Sequence, residues 1–195
     1  MSVWDKEGAM NDRMSRDRES WIKQERQEPY EDYMRRKNIE ADLADKSNMK
    51  WHKRFMDMAK MVSTWSKDPS SQIGAVAVND ERRILATGYN GFPKGIADTE
   101  ERLNNKNEKY PRIIHAEMNA LMNALYSGVS LKDSTLYVYG LPVCPSCTKC
   151  VIQAGVKHIV IPAVKTDKGN WQQVWEEQSL PMFKESGVQV TLLEV

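Results

Sequence analysis

Thr135-Leu136-Tyr137-Val138-Tyr139, Cys144-Pro145-Ser146-Cys147-Thr148-Lys149-Cys150-Val151-Ile152-Gln153-Ala154 and Val156-Lys157-His158-Ile159-Val160-Ile161 read as strand, helix and strand. The first and third runs are short, apolar and rich in β-branched and aromatic residues. Pro145 sits where a first helical turn tolerates a missing N–H, and Gly155 stops the helix, placed over Cys147–Ala154. A strand–helix–strand unit of this length implies parallel pairing through a crossover. Upstream, Ile114–Ser127 reads as helix, with Ala116, Met118, Ala120, Leu121, Ala124 and Leu125 forming its apolar faces. Downstream, Trp171–Ser186 is a helix stopped by Gly187, and Val188–Leu193 is a last strand.

The first half of this region has a different pattern. Trp51, Phe55, Met58, Ala59, Val62 and Trp65 recur at three- and four-residue spacing, which predicts an amphipathic helix over 50–66. Asp68-Pro69-Ser70-Ser71 ends it. Ile73–Val78 and Ile84–Gly88, joined by the polar turn Asn79–Arg82, read as an antiparallel hairpin. The loop Gly88–Gly95 follows, and the polar stretch 98–112 reads as a long active-site loop or lid. The expected architecture is α/β: a three-layer α/β/α sandwich around a mixed five-stranded sheet.

Both helices in the C-terminal half open on residues that carry chemistry. His115-Ala116-Glu117 begins one, and Cys144-Pro145-Ser146-Cys147 begins the other. Residues three apart share a helix face, so two thiols can reach one ion. One His and two Cys is the ligand count of a zinc site that keeps its fourth position open. Glu117, close to the ion but poorly placed to bind it, suits proton transfer. The competing reading is a closed structural site with Cys150, one turn beyond Cys147, as fourth ligand. That reading leaves Glu117 without a role, and Cys150 then packs as a small apolar residue otherwise. His52 and His158 read as ordinary surface or satisfied histidines.

Composition narrows the classes further. All three cysteines fall within seven residues, a spacing suited to a metal and not to a structural disulfide. A net charge of +1 argues against a dedicated polyanion-binding surface. No apolar run reaches the roughly 20 residues of a membrane span, and the charged N-terminus has no signal core, so a cytoplasmic protein is expected. The division expected is a charged arm over 1–48 and a zinc-binding domain over 49–195. The arm reads either as a solvated, partly disordered segment or as a charged helix around 15–45 that packs Trp21, Tyr30 and Tyr33 on a partner subunit.

The pattern His-x-Glu followed by Cys-x-x-Cys is a known signature of zinc-dependent deaminases. The chain resembles the deoxycytidylate (dCMP) deaminases in particular. The resemblance rests on Ser66-Lys67-Asp68-Pro69-Ser70-Ser71-Gln72-Ile73-Gly74-Ala75, Gly88-Tyr89-Asn90-Gly91, Lys109-Tyr110-Pro111, His115-Ala116-Glu117-Met118-Asn119-Ala120 and Ile152-Gln153-Ala154-Gly155. It runs in one register over about residues 50–161. It implies zinc held by His115, Cys144 and Cys147, with Glu117 as proton shuttle. It implies that Asn90 holds a sugar hydroxyl and that the Ala116 N–H meets the pyrimidine carbonyl. It further implies a homo-oligomer, dimer or hexamer, with dCTP activation and dTTP inhibition through bound magnesium. The chain departs from the family in the Tyr139–Val143 segment, one residue longer, and in Trp65, where many relatives carry Arg.

The expected activity is hydrolytic deamination of dCMP to dUMP with release of ammonia. Ser66, Lys67, Ser71 and Lys94 are the candidate phosphate contacts near the cleft. A nucleic-acid base deaminase would need a basic groove and stacking platforms, which the balanced charge disfavours. A catalytically silent binding module would not need Glu117 beside three ligands.

Overall fold

The computed structural model describes residues 48–163 and 166–194. The expected arm lies outside the described residues. Helix α1 spans 48–63. Strands β1 (Gly74–Val78) and β2 (Ile84–Tyr89) form the antiparallel hairpin. Two short helices follow, α2 (Glu100–Asn104) and α3 (Lys106–Lys109). Then come α4 (Ala116–Tyr126), β3 (Thr135–Tyr139), α5 (Pro145–Gln153) and β4 (His158–Pro162). The chain ends on α6 (Trp171–Val174), a π-helical turn (Trp175–Ser179), α7 (Leu180–Glu185) and β5 (Gln189–Leu193).

The sheet order is β2-β1-β3-β4-β5. β1 pairs antiparallel with both β2 and β3, whereas β3–β4 and β4–β5 are parallel. The mixed five-stranded sheet expected from the strand–helix alternation is therefore present.

Alternation along the strands separates the two faces. Val76, Val78, Tyr137 and Val160 pack under Phe55, Met56, Ala59 and Val62 of α1. Ala75, Ala77, Leu136, Val138, Ile159 and Ile161 point the other way. That second face is covered by Ala116, Ala120 and Ala124 of α4, by Cys147 and Val151 of α5, and by Trp175 and Phe183. The three layers follow directly.

Two glycines set how closely the helices approach. A Cβ on Gly74 would lie 2.0 Å from the Ala59 carbonyl oxygen, and one on Gly88 would lie 2.3 Å from the Ala116 carbonyl and from the Ala120 nitrogen. Bare backbone at these positions lets α1 and α4 lie against the sheet. α4 is tied further by Asn119 and Asn123, whose amides donate to the Tyr89 and Thr87 carbonyls of edge strand β2 at 2.6 and 2.8 Å.

Two expectations need correction. α1 ends at 63, so Trp65 lies beyond it, half exposed and edge-on to Tyr89. The stretch 98–112 is largely helical. Thr99 and Asn105 cap its two short helices by accepting from Arg102 N and Asn107 N, giving a polar sequence local order without an apolar stripe.

Candidate active site and metal centre

His115 is the N-cap of α4 and Cys144 the N-cap of α5, both in extended backbone. α5 follows β3 and α4 follows the two short helices after β2, and both start on the same face of the sheet, so their first turns meet. His115 Nδ1 lies 3.3 Å from Cys144 Sγ and 3.5 Å from Cys147 Sγ. Cys144 Sγ accepts from the Cys147 backbone N–H at 3.4 Å. One ligand atom from each of the three residues falls within 4.8 Å of the others, the one such group among the described residues. One imidazole nitrogen and two sulfurs form a donor set suited to zinc, so the residues fit the ion. Cys150 is outside this group and packs against the core, as its small apolar character predicts.

The electrostatics support the same assignment. A hydrogen bond from Cys147 and another to His115 lower the Cys144 thiol to about 4, against the opposing effect of burial. The same shared bond, with burial, raises Cys147. His115 is raised, chiefly by its bond to Cys144 and also by the Glu117 charge. Glu117 sits in the first turn of α4 and is almost fully buried. Burial pushes its carboxyl up to about 7 against the pull of His115. A carboxyl in that range can both accept and return a proton near neutral pH.

A cavity of about 720 Å³ opens beside this cluster. It is large enough for a nucleotide-sized ligand. His115, Glu117, Asn90 and Ser71 all line it. The Ala116 N–H belongs to the first turn of α4, whose donors no intrahelical carbonyl accepts.

Asn90 is buried and heavily engaged. Its amide donates to the Ser71 carbonyl at 2.8 Å and to Asp68 Oδ2 at 3.2 Å, and its Oδ1 accepts from Ile73 N at 2.8 Å. An amide oxygen has two lone pairs, so one remains for a hydroxyl donor. The loop that carries Asn90 is fastened to the ligand side by a two-way bridge between Gly91 and Ile114.

Three expected phosphate contacts are not brought into the cavity wall. The Ser66 hydroxyl is buried and spent on the Asn90 carbonyl at 2.7 Å. Lys67 is exposed and paired with Asp98 at 3.1 Å. Lys94 is exposed and does not line the cavity. Other residues line the cavity: Lys109 and Tyr110, quoted above only within a family motif and given no role, and Lys106, Lys168 and Trp171, which sequence reasoning did not place at the site. Lys109 is buried, with its ammonium 2.6 Å from Asp68 Oδ1 and 2.7 Å from Ser70 Oγ. Burial alone would raise the Asp68 carboxyl, but bonds from Lys109, Ser70 and Ser71 outweigh it and hold Asp68 low. Trp171 sits against the histidine, ring centroids 6.0 Å apart.

Residues 49–163 match the profile of the cytidine and deoxycytidylate deaminase zinc-binding region. An uncharacterized deaminase of Aliivibrio fischeri is 39% identical over 150 residues, covering 74% of this chain and 94% of that one. Human deoxycytidylate deaminase is 40% identical over 124 residues, covering 60% of this chain and 67% of that one. Among solved structures, dCMP deaminase from the cyanophage S-TIM5, in complex with dCMP and dUMP, superposes with a TM-score of 0.58 at 27% identity. That match covers 72% of this chain and 95% of the phage one. The His/Cys/Cys cluster, the buried glutamate and strands β1 to β4 all fall within the matched span, and the chain belongs to the cytidine and deoxycytidylate deaminase family.

Proposed function

We infer that the chain deaminates dCMP hydrolytically to dUMP, releasing ammonia. The observation that carries this reading is the joint placement of the His115/Cys144/Cys147 donor set, buried Glu117 and Asn90 around one nucleotide-sized cavity. The relatives named for deoxycytidylate support the choice of base and sugar.

His115, Cys144 and Cys147 would hold zinc, which supplies Lewis-acid activation of water when bound. The remaining work belongs to side chains and backbone. Glu117 takes a proton from the attacking water and delivers one to pyrimidine N3. It then takes the remaining proton from the new C4 hydroxyl and gives it to the departing amine, so that the C4–N bond breaks, ammonia leaves and the C4 carbonyl forms. The Ala116 N–H meets the pyrimidine carbonyl oxygen. The free lone pair of Asn90 Oδ1 accepts from a sugar hydroxyl, and its other bonds hold that oxygen still.

We extend the reading to assembly and regulation. Self-association through the sheet-flanking helices is supported by exposed Met61, Met122, Leu125 and Tyr126. Residues 1–48 act as a separate arm that adds contacts between subunits. Response to dCTP and dTTP with magnesium is carried over from the family resemblance alone. A cytoplasmic location is consistent with the absence, among the described residues, of any helix long and apolar enough to cross a membrane.

The deciding experiment measures kcat/KM on the zinc-loaded protein for dCMP, cytidine, dCTP and single-stranded DNA, with ammonia release as readout. dCMP should give the highest value. A higher value for dCTP or DNA would remove the assignment.

A further inference from the structure

Asp68 and Lys109 are both buried, and the Lys109 ammonium lies 2.6 Å from Asp68 Oδ1. Burying two charges often costs more than their attraction returns, unless their remaining hydrogen-bonding positions are filled. Here the two oxygens of Asp68 are used differently. Oδ1 accepts from Lys109 Nζ, from the Ser70 N–H and hydroxyl at 2.8 Å, and from the Ser71 N–H at 3.2 Å. Oδ2 accepts from the Asn90 amide at 3.2 Å. An asparagine or a serine closes a turn such as 68–71 without any charge. The ion pair therefore needs a further reason, and Oδ2 supplies it.

The Asn90 amide has a donor end and an acceptor end, which half a turn of the side chain would exchange. Its neighbours allow one orientation. Asp68 Oδ2 and the Ser71 carbonyl are acceptors and face the NH2, whereas the Ile73 N–H is a donor and faces Oδ1. The main chain is fixed as well. The Asn90 carbonyl accepts from the Ser66 hydroxyl, which itself accepts from the Asp68 N–H at 3.2 Å. Against burial, bonds from Lys109, Ser70 and Ser71 keep Asp68 ionised, so both of its oxygens only accept. An amide in its place would accept at one end and donate at the other. Its oxygen would go to the crowded side of Lys109, Ser70 and Ser71, and its NH2 would then meet the Asn90 NH2. Whether Asn90 turned or moved away, the aligned lone pair of Oδ1 would be lost.

We propose that Asp68 is a positioning residue: its carboxylate, balanced by Lys109, sets the Asn90 amide so that the free Oδ1 lone pair meets the sugar. This rests on the deaminase reading and on Asn90 as the sugar anchor. In dCMP the 5′-oxygen carries the phosphate and C2′ carries no oxygen, so the hydroxyl received is the 3′-hydroxyl. Asp68 acts on it through Asn90, without touching the substrate.

The test compares kcat and KM for dCMP and for 2′,3′-dideoxycytidine 5′-monophosphate, which lacks the 3′-hydroxyl. The proteins are zinc-loaded, full-length wild type, Asp68→Asn, Asn90→Ala and the double variant. Wild type should prefer dCMP about 10–100-fold in kcat/KM. Asp68→Asn should lose most of that preference, with the loss falling mainly on dCMP. In the Asn90→Ala background it should add nothing further, because a residue that acts through another is not additive with it. Asp68→Ala removes the acceptor without introducing a donor. It should lose less of the preference than Asp68→Asn despite the larger loss of packing, and it carries the test if Asp68→Asn does not fold. An unchanged preference, an equal loss on both substrates, or full additivity with Asn90→Ala overturns the proposal and leaves the deaminase reading standing. A wild type without preference for dCMP overturns the sugar-anchor reading together with the proposal. A wild type that turns over neither substrate overturns the deaminase reading and everything resting on it.

Discussion

Glu117 is a carboxyl with almost no solvent and a raised proton affinity beside the donor cluster. Its replacement by Gln keeps the shape and removes the proton-carrying capacity. Glu117→Gln should retain fold and zinc content while lowering kcat roughly 10²–10⁴-fold; near wild-type turnover would show that another group moves the proton. His158 carries a different consequence, on the far side of the sheet from the cavity. Burial, with the nearby His52 and Lys157 charges, lowers it to about 4, and it shares a 2.8 Å bond with Thr191. Between the ordinary histidine value and about 4, the unfolded chain binds the proton that the folded chain refuses. Stability should therefore fall as pH drops from about 6.5 to about 4, by on the order of 3 kcal/mol at most. Denaturant midpoints across that window should show the slope, and His158→Gln should flatten it. Glu117, His115, Cys144 and Cys147 were legible because their spacing along the chain already encodes the chemistry. The Asp68–Lys109 pair was not, since its partners are 41 residues apart and a lysine reads as solvated surface until a carboxylate is placed against it.

At the scale of elements, the position of α4 is the controlling quantity, because this helix carries both His115 and Glu117 into the site. Gly88 fixes that position from the sheet side. A methyl group there would collide with backbone of α4, which cannot rotate away as a side chain can. Gly88→Ala should cost about 1–3 kcal/mol of stability and should lower kcat as well, since the helix must lift together with its catalytic first turn. Thermal unfolding and steady-state kinetics on one preparation check both; a loss of stability with kcat intact would mean that α4 retreats without disturbing its N-terminus. Most elements were readable from apolar periodicity and from glycine and proline stops. The last helix was readable in extent and not in form. Pro181 lacks an N–H, and its ring crowds the carbonyl four residues earlier, at Glu177. The chain responds with the π-helical turn Trp175–Ser179, whose widened hydrogen bonding no periodicity announces.

For the whole molecule, the sequence made the parallel and antiparallel halves plain, because crossover helices demand one and a tight turn the other. The cavity wall formed by 168–171 was not visible in advance. Its contribution depends on where the connection after β4 passes over the sheet, and on contacts with Ser70 and Ser71, nearly a hundred residues earlier. The strand order also governs how the molecule comes apart. β1 and β3 are each paired along both edges, whereas β5 is paired along one edge only and is largely uncovered. Local opening follows the least-protected elements. The β5 side is thus the natural place for amide protons to exchange first, taking α6, α7 and the 168–171 wall with it. His115, Cys144 and Cys147 hang from α4, which lies over β2 and β1, and from α5, which joins β3 to β4. Such an opening would bare the nucleotide cavity from one side and leave the ligand cluster assembled, so that the molecule breathes at its wall and not at its metal.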